Sequence, residues 1–283
     1  QSWDIFIFHK FCKKMFKKFV NTSRYNKPHG ILFLFYPCIW GISLSNNNIS
    51  DVFFLCIIFL LGASGMRSAG CIWNDFNDKD FDKEIERTKK RDIASGKVNK
   101  REILLFITIN LLIGTLPLYF LPKESIILCL YVIPLIISYP FMKRITWWPQ
   151  LWLGISYNWG LIIGFSSLEN NIFLLEIIFF YLGCILWTIA YDTVYGYQDI
   201  LDDERVGVKS TSIKFKKSPK TFLTFNYLLS CCLWITSLFL LERSPLSILF
   251  FIILFFIILF NLYLVDLKEP RECYKFFVNN SFF

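Results

Sequence analysis

The chain contains few charged residues, and those it has are bunched. Only 18% of its 283 residues are Asp, Glu, Lys or Arg, whereas a soluble domain carries roughly 25%. The stretches between the charged clusters are strongly apolar: 55% of the chain is hydrophobic, and Phe alone occurs 32 times. This composition excludes a disordered chain, a secreted disulfide scaffold and an ordinary soluble enzyme. It indicates a protein that crosses a membrane several times.

Histidine is scarce and Cys-x-x-Cys motifs are absent. His9 and His29 have no metal-ligand spacing to any of the nine cysteines, most of which lie inside apolar runs. We therefore expect the cysteines to pack in the core or face lipid, and we expect no zinc or redox site. A metal ion in this protein would need oxygen ligands.

Eight stretches approach the roughly 20 apolar residues that a membrane-spanning helix needs. They predict an all-α membrane protein, a multi-span helical bundle, with spans at 30–47, 51–73, 102–121, 124–142, 149–168, 171–194, 220–241 and 245–266. Residues 1–29 form a basic amphipathic segment ahead of the membrane domain at 30–283. We expect this segment to lie on the membrane surface, because it lacks the features of a signal peptide.

The basic residues outside the predicted spans lie almost entirely on one side of the membrane. Twenty-seven Lys and Arg occur in the segments 1–29, 74–101, 143–148, 195–220 and 267–283. The other side has only Lys123 and Arg243. The positive-inside rule places the N-terminus and the basic loops in the cytoplasm. Basic loops at a membrane also account for the net charge of +8, so we expect no nucleic acid as a partner.

Two acidic clusters follow the second and the sixth predicted spans. At 100° per residue, each cluster places its carboxylates on one helical face. The first cluster contains Asp75, Asp78 and Asp82, with Asn74 one turn before Asp78, and the second contains Asp192, Asp199 and Asp203. An offset of 117 residues takes positions 75 and 82 to 192 and 199. We therefore predict two pseudo-repeats of four helices, about 30–142 and about 149–266, around a central cavity.

Carboxylates on one face repel one another, so solvation of helix ends alone explains these clusters poorly. With no His or Cys nearby, their oxygen atoms favour Mg²⁺, which commonly takes one or two carboxylates together with water and phosphate. Basic residues interleave with the acidic ones, and Mg²⁺ with Arg and Lys is the usual clamp for a diphosphate. The candidate basic ligands are Lys79, Arg87, Arg91, Lys143, Arg144 and Lys209.

Arg67 lies inside the second predicted span with no obvious partner in the sequence. An intramembrane arginine is a functional hypothesis by default. It precedes Asn74 by seven residues, or two turns, on a similar face. We expect it to meet a substrate anion deeper in the cavity, and the structural alternative is a bond to a buried carbonyl at a helix end.

With these motifs the sequence resembles the UbiA-type intramembrane prenyltransferases, and it is most similar to the branch that prenylates 4-hydroxybenzoate in ubiquinone synthesis. The similar strings lie at 66–96, 139–144, 151–160, 191–211 and 268–280. The resemblance implies a bundle of nine helices, of which eight are predicted here. The bundle would surround a cavity that is open sideways to lipid and capped by cytoplasmic loops.

The resemblance also implies roles for individual residues. The first acidic motif of the family matches Asn74, Asp75, Asp78 and Asp82, which we take as candidate Mg²⁺ ligands. Asp199 and Asp203 match the ligands of a second Mg²⁺. The implied catalytic carboxylates are Asp78, Asp82, Asp192, Asp199 and Asp203. Tyr139 and Tyr195 join the basic residues as diphosphate contacts. Arg67 matches an arginine that faces the aromatic acceptor in the family, and we take Arg67 and Asn74 as the candidate acceptor-binding residues.

The sequence therefore predicts Mg²⁺-dependent transfer of a polyprenyl group from a polyprenyl diphosphate to 4-hydroxybenzoate, at the ring carbon ortho to the phenol. Asp192 or Asp199 would take the ring proton. We expect the protein in the lipid bilayer of a cell inner membrane, or of the mitochondrial inner membrane in a eukaryote, and no protein partner is indicated. Another aromatic acceptor stays open within the family. The rival outside it is a transporter, which internal repeats and intramembrane charges also suit.

Overall fold

The computed structural model of the protein describes residues 2–45, 49–169 and 174–282, and these contain helices but no β-strand. Short 3₁₀ turns lie at Leu116–Phe120 and Tyr197–Asp199. The α-helices, in chain order, are α1 (Ser2–Thr22), α2 (His29–Leu44), α3 (Ile49–Asn77), α4 (Lys79–Glu84), α5 (Lys100–Thr115), α6 (Lys123–Tyr131), α7 (Ile133–Ile145), α8 (Pro149–Ser166), α9 (Leu175–Gly196), α10 (Ile200–Val206), α11 (Thr211–Lys214), α12 (Pro219–Leu240), α13 (Pro245–Leu264) and α14 (Pro270–Asn280).

Six helical stretches in the described ranges are long and apolar enough to cross a bilayer. They are Val52–Asn77, Lys100–Phe120, Lys123–Ile145, Leu175–Val206, Pro219–Leu240 and Pro245–Leu264. The predicted spans 30–47 and 149–168 become the shorter helix α2, with 16 residues, and the more polar helix α8, with 18. The all-α architecture is therefore confirmed, whereas the count of eight spans is not. Residues 46–47 and 171–173, at the edges of two predicted spans, lie outside the described residues.

Two of the predicted spans are not continuous α-helices, and proline explains both interruptions. The span at 102–121 changes from α5 to a 3₁₀ turn at Leu116, where Pro117 follows. The span at 124–142 divides at Val132 into α6 and α7, and Pro134 lies in the first turn of α7. Proline has no N–H and is tolerated best in the first turn of a helix, so each proline marks a new helical start.

The acidic segments also lie at junctions between helices. α3 ends at Asn77 and α4 begins at Lys79, so Asp78 stands between them. The backbone N–H of Asp78 still donates to Asn74 at 2.9 Å, and that of Asp82 donates to Asp78 at 2.8 Å. Helical spacing therefore continues through the junction. Asp75, Asp78 and Asp82 stay on one face, as predicted, although the sequence did not reveal that α3 ends between them.

The two halves of the chain pack alike. α3 lies along α5 in the first half and α9 lies along α12 in the second, while α2 packs against α8 between the halves. At this α2–α8 seam the backbones nearly touch: a Cβ added to Gly41 would lie 2.1 Å from the carbonyl oxygen of Leu161, and one added to Gly164 would lie 2.2 Å from that of Cys38. Only glycine permits so close an approach.

The acidic segments meet at one end of the bundle, the acidic end, which both termini cover. In α1, Met15 and Phe19 pack against the cluster that contains Ile72 and Phe106, and the Phe19 and Phe106 rings are 5.4 Å apart. At the other terminus, Asn280 of α14 accepts hydrogen bonds from buried aromatic side chains of α9 and α12 through Oδ1. The donors are Trp187 Nε1 at 3.2 Å and the Tyr227 hydroxyl at 3.1 Å.

Many large apolar side chains on the outer helices are exposed. On α13 they include Leu246, Phe256 and Phe260, each more than 60% exposed. A soluble protein rarely exposes contiguous apolar surface of this kind, whereas lipid-facing helices require it. The outer surface of the bundle therefore suits contact with lipid tails.

Candidate active site

A cavity of about 960 Å³ opens at the acidic end. Its wall is formed by the α1–α2 linker, by α2, α3, α7, α8, α9 and α14, and by the loop that follows α4. Eight of the predicted site residues line this cavity: Arg67, Asn74, Asp75, Arg87, Arg91, Tyr139, Asp192 and Tyr195. The fold thus brings residues from both acidic segments to one space, as the internal-repeat argument predicts.

Arg91 joins two carboxylates of the first acidic segment. Its Nη1 lies 3.0 Å from Asp75 Oδ1 and 2.8 Å from Asp82 Oδ2. Both aspartates are buried, each with 4% of its surface exposed. A buried carboxylate requires a partner of opposite charge, and one guanidinium serves two of them here. These two contacts connect the segment after α4 to α3 and α4.

Asp78 is bound from a different direction, by the end of α7. Lys143 Nζ lies 2.6 Å from Asp78 Oδ2, and Arg144 Nη2 lies 4.0 Å from Oδ1. Burial raises the pKa of the Asp78 carboxyl above its usual value, and Lys143 offsets only part of that effect. Asp78 Oδ1 is buried and accepts no hydrogen bond from the described residues. This oxygen is therefore available as a ligand for a cation.

Arg87 links the two acidic segments. Its Nε lies 2.8 Å from each carboxylate oxygen of Asp199, and its Nη1 donates to the Tyr195 hydroxyl at 3.0 Å. Burial by itself would lower the pKa of Arg87, but Tyr195 and the Asp199 carboxylate hold it above its usual value. A nearby contact supports the link, since the backbone N–H of Glu86 donates to Asp202 Oδ2 at 3.0 Å.

Two predicted carboxylates have no such partner. Asp192 and Asp203 are half-buried, and neither makes an ion pair or a hydrogen bond with any described side chain. Asp192 lines the cavity, whereas Asp203 lies outside its wall. Asp192 is therefore a free acceptor at the cavity surface, which distinguishes it from Asp199.

Arg67 makes the contact that the structural alternative predicts, and it also lies where a substrate anion could reach it. It is buried, with 8% of its surface exposed, and it lines the cavity. Its Nη1 donates to the backbone carbonyl of Arg24 at 3.2 Å, which is the structural alternative. Its Nε has no hydrogen-bond partner among the described residues. An unpaired buried donor costs free energy, so the guanidinium is a candidate for binding an anion.

Four predicted basic residues lie outside the cavity wall: Lys79, Lys143, Arg144 and Lys209. Lys209 donates through Nζ to the carbonyl of Ile145 at 3.2 Å, and its backbone N–H donates to the carbonyl of Lys143 at 2.8 Å. It therefore braces the segment that carries Lys143. Arg144 donates to the Asn77 carbonyl at 2.8 Å. Lys79 makes no ion pair within the described ranges. Diphosphate binding by these four stays a prediction.

Arg24 is a site residue that sequence reasoning missed. Its guanidinium forms an ion pair with Asp75, and its carbonyl accepts the bond from Arg67. Burial would lower its pKa, but Asp75 holds the pKa well above its usual value. The backbone of Arg24 is left-handed, with φ of 58°, which is uncommon for a residue other than glycine. The only signal in the sequence is its position beyond the lysine-rich face of α1.

The residues present fit Mg²⁺. No group of three His, Cys, Asp or Glu side chains in the described ranges is arranged to hold a metal ion by itself. Mg²⁺ does not need such a group, because it commonly binds one or two carboxylates and completes its shell with water and phosphate oxygens. The donors are all oxygen, and Asp78 Oδ1 is buried without a partner. The candidate ligands remain Asn74, Asp75, Asp78, Asp82, Asp199 and Asp203.

The model of the UbiA prenyltransferase family matches residues 34–283. The chain belongs to this family. It is 40% identical over 210 residues to the mitochondrial 4-hydroxybenzoate polyprenyltransferase of Drosophila pseudoobscura pseudoobscura, covering 74% of this chain and 53% of that one. It is 33% identical over 273 residues to the 4-hydroxybenzoate octaprenyltransferase of Hydrogenovibrio crunogenus, covering 95% and 93%. The chain thus spans about half the length of the first of these relatives.

Solved structures of UbiA homologues have the same fold. The apo structure of a homologue from Aeropyrum pernix K1 superposes with a TM-score of 0.71 at 21% identity, over 90% of this chain and 94% of that one. A homologue from Archaeoglobus fulgidus bound to DMAPP and Mg²⁺ superposes with a TM-score of 0.67 at 17% identity, over 94% of this chain and 98% of that one. The helical bundle around the cavity is therefore the UbiA fold.

Proposed function

We propose that this UbiA family member transfers a polyprenyl group from a polyprenyl diphosphate to 4-hydroxybenzoate, with Mg²⁺ as cofactor, as a step in ubiquinone synthesis. The observation that carries the proposal is a single cavity that holds residues of both acidic segments together with the buried Arg67. The names of the two relatives support the acceptor and the prenyl donor. The Archaeoglobus homologue, which was solved with a prenyl diphosphate and Mg²⁺, supports the metal.

The diphosphate end of the donor would lie between the two acidic segments. Asp78 and Asp82 with Asn74 and Asp75 on one side, and Asp199 and Asp203 on the other, would hold Mg²⁺, which neutralises the charge that develops on the leaving diphosphate. Arg87, Arg91 and Lys143 now contact the same carboxylates. They are therefore placed to donate to diphosphate oxygens once those carboxylates have other partners. Tyr139 and Tyr195 would add hydroxyl contacts from the cavity wall.

The cavity wall beyond the acidic residues is aromatic. Phe33, Tyr139, Tyr157 and Tyr191 line it, and the Phe33 and Tyr191 rings stack with centroids 4.3 Å apart. Aromatic faces stabilise a neighbouring positive charge, and they keep water away from it. These side chains would therefore protect an allylic cation from water until it meets the acceptor.

The acceptor would bind through its carboxylate to the guanidinium of Arg67, which lines the cavity. That contact would orient the ring so that the carbon ortho to the phenol faces the allylic carbon. A new C–C bond forms there as the C–O bond to diphosphate breaks, and the ring then loses the proton on that carbon. Asp192 is the better of the two predicted bases, because Asp199 is held by Arg87.

The protein would work in a bacterial inner membrane or the mitochondrial inner membrane, with the acidic end on the cytoplasmic or matrix side. The distribution of basic residues and the apolar outer surface of the bundle support this placement.

The test is to incubate membranes that contain the protein with labelled 4-hydroxybenzoate and prenyl diphosphates of several chain lengths. We expect a lipid-soluble labelled product that requires both a prenyl diphosphate and Mg²⁺ and that disappears with EDTA. Product formation in EDTA would contradict the role of Mg²⁺. Uptake of label into sealed vesicles without any product would contradict the transferase and favour a transporter.

A further inference from the structure

The guanidinium of Arg67 lies against the backbone of Gly30, the second residue of α2. A Cβ added to Gly30 would lie 2.4 Å from Arg67 Nε, 2.5 Å from Nη2 and 2.8 Å from Cζ. Real Cβ atoms essentially never approach other heavy atoms within 3.0 Å. The edge formed by Nε and Nη2 therefore occupies the space that any side chain at position 30 would need.

The opposite edge of the same guanidinium is fixed by the α1–α2 linker. Nη1 donates to the carbonyl of Arg24, whose own side chain is bound to Asp75. Arg67 extends from α3 and is thus held between the Arg24 carbonyl on one side and the bare backbone of Gly30 on the other. Neither contact is visible from helical periodicity, because the contacting residues lie about 40 positions away in sequence.

We infer that Gly30 is a positioning residue for acceptor recognition: the absence of a side chain at position 30 lets the Arg67 guanidinium keep the place from which it binds the acceptor's carboxylate. The inference rests on the acceptor-binding role proposed above for Arg67. Charge-assisted hydrogen bonds depend on the geometry of the guanidinium, so a displaced Arg67 would bind the carboxylate poorly while its charge is unchanged.

An added methyl group at Gly30 should move Arg67 and leave the helices in place. The atoms that it would meet within 3.0 Å all belong to the end of a flexible side chain. Gly41, in the same helix, differs in this respect, because its Cβ would meet backbone atoms of Leu161 and Phe165. Gly30→Ala is therefore a local change, whereas Gly41→Ala would disturb the α2–α8 seam.

The chain offers a matched control in Gly70. It also lies in a helix and on the wall of the same cavity, but a Cβ there would meet nothing within 4 Å. Gly30→Ala should raise the apparent KM for 4-hydroxybenzoate at least about tenfold and leave the KM for the prenyl diphosphate within about twofold. Gly70→Ala should not raise the KM for 4-hydroxybenzoate selectively, because its methyl group would displace no part of Arg67.

A second measurement separates positioning of Arg67 from general damage to the site. 4-Hydroxybenzamide has the shape of 4-hydroxybenzoate but no charge, so it competes for the acceptor site without the carboxylate interaction. Gly30→Ala should weaken 4-hydroxybenzoate binding to the purified protein and leave the weaker binding of the amide unchanged. Equal loss for both ligands would overturn the inference, because it would show a collapsed cavity.

The double variant Gly30→Ala, Arg67→Ala completes a double-mutant cycle with the two single variants. With the guanidinium removed, the methyl group has nothing to displace, so the double variant should have the same KM for 4-hydroxybenzoate as Arg67→Ala alone. It should also fold as well as Arg67→Ala, judged by thermal unfolding in detergent. A further loss of affinity or of folding in the double variant would show that Gly30 acts on the backbone, and it would overturn the inference.

Failure of the inference is distinguishable from failure of the proposed function. If Arg67→Ala raises the KM for 4-hydroxybenzoate but Gly30→Ala behaves like Gly70→Ala, the role of Gly30 is wrong and the acceptor assignment stands. If Arg67→Ala leaves that KM unchanged, the acceptor assignment is wrong, and the role of Gly30 falls with it.

Discussion

Arg87 and Asp199 are joined by paired contacts across the two acidic segments, with Arg87 Nε 2.8 Å from each oxygen of the carboxylate. Lys143 binds Asp78 in a similar way, at 2.6 Å. In both pairs, a cation assigned to the diphosphate contacts a carboxylate assigned to Mg²⁺. When the diphosphate and Mg²⁺ bind, each carboxylate would therefore exchange its cationic side chain for Mg²⁺, and each side chain would exchange its carboxylate for the diphosphate. These groups would already be paired before the substrate binds.

This exchange predicts a stability effect that does not depend on turnover. Arg87→Ala leaves the Asp199 carboxylate without its cation, which should destabilise the Mg²⁺-free protein by roughly 1–3 kcal/mol. Mg²⁺ can supply the missing positive charge, so it should raise the unfolding temperature of Arg87→Ala more than that of the unmodified protein. Thermal unfolding in detergent with and without Mg²⁺ measures both effects.

Lys83→Ala is the control for that comparison, because the one ion pair of Lys83 among the described residues is with the exposed Asp80. It should change neither the unfolding temperature nor the response to Mg²⁺. An Arg87 variant that gains no more from Mg²⁺ than the control would contradict metal binding at Asp199.

The carboxylates themselves give a second prediction. Asp78→Ala and Asp199→Ala should each abolish prenyl transfer, because each removes a proposed Mg²⁺ ligand. Asp80→Ala alters the same acidic segment at an exposed side chain, so it should retain activity. Product formation per amount of folded protein is the measurement. If both variants keep more than about a tenth of the normal rate, the two-metal mechanism is wrong.

A third prediction concerns recognition of the acceptor. A charge-assisted pair is worth roughly 1.5–3 kcal/mol, so Arg67→Ala should raise the KM for 4-hydroxybenzoate about 10- to 150-fold. The KM for the prenyl diphosphate should change little, because within the described residues Arg67 makes no hydrogen bond or ion pair with a proposed metal ligand. Arg67→Lys should recover only part of the loss, since an ammonium lacks the planar donor geometry. The assignment would be disproved if Arg67→Ala raised the KM for the prenyl diphosphate and left the KM for 4-hydroxybenzoate unchanged.

A fourth prediction concerns orientation in the membrane. Single cysteines at positions 89 and 216, in a background without the native cysteines, should react only with reagents added from the cytoplasmic or matrix side. A cysteine at position 123 should react from the opposite side, because Lys123 lies between two predicted spans on the other face. Labelling of positions 89 and 216 from different sides would contradict a shared active site.

Sequence reasoning located the acidic segments because their spacing repeats and because helical periodicity acts over a few residues. It missed Arg24, which binds Asp75 across 51 positions of sequence. It also assumed continuous helices, whereas Asp78 lies at a junction between α3 and α4. Long-range pairing of single side chains depends on tertiary packing and leaves no periodic signal.

Charge alone also could not separate the roles of the basic residues. Lys143 and Lys209 are both positive residues in predicted loops. In the structure, Lys143 contacts the Asp78 carboxylate, while Lys209 contacts backbone carbonyls of the segment that carries Lys143. Only the direction of each side chain distinguishes them, and that direction is set by the fold.

The contact between α2 and α8 fixes one dimension of the substrate chamber. Because Gly41 and Gly164 bring the two backbones together, no substitution there can change the spacing without forcing carbonyl groups apart. Room for isoprenoid chains of different length must then be set by the side chains that line the cavity, such as Met66 of α3, Ile136 of α7 and Leu153 of α8. Proteins of this fold that accept isoprenoid chains of different length are therefore expected to differ in individual residues that line the cavity. The distance between α2 and α8 is expected to be the same in all of them.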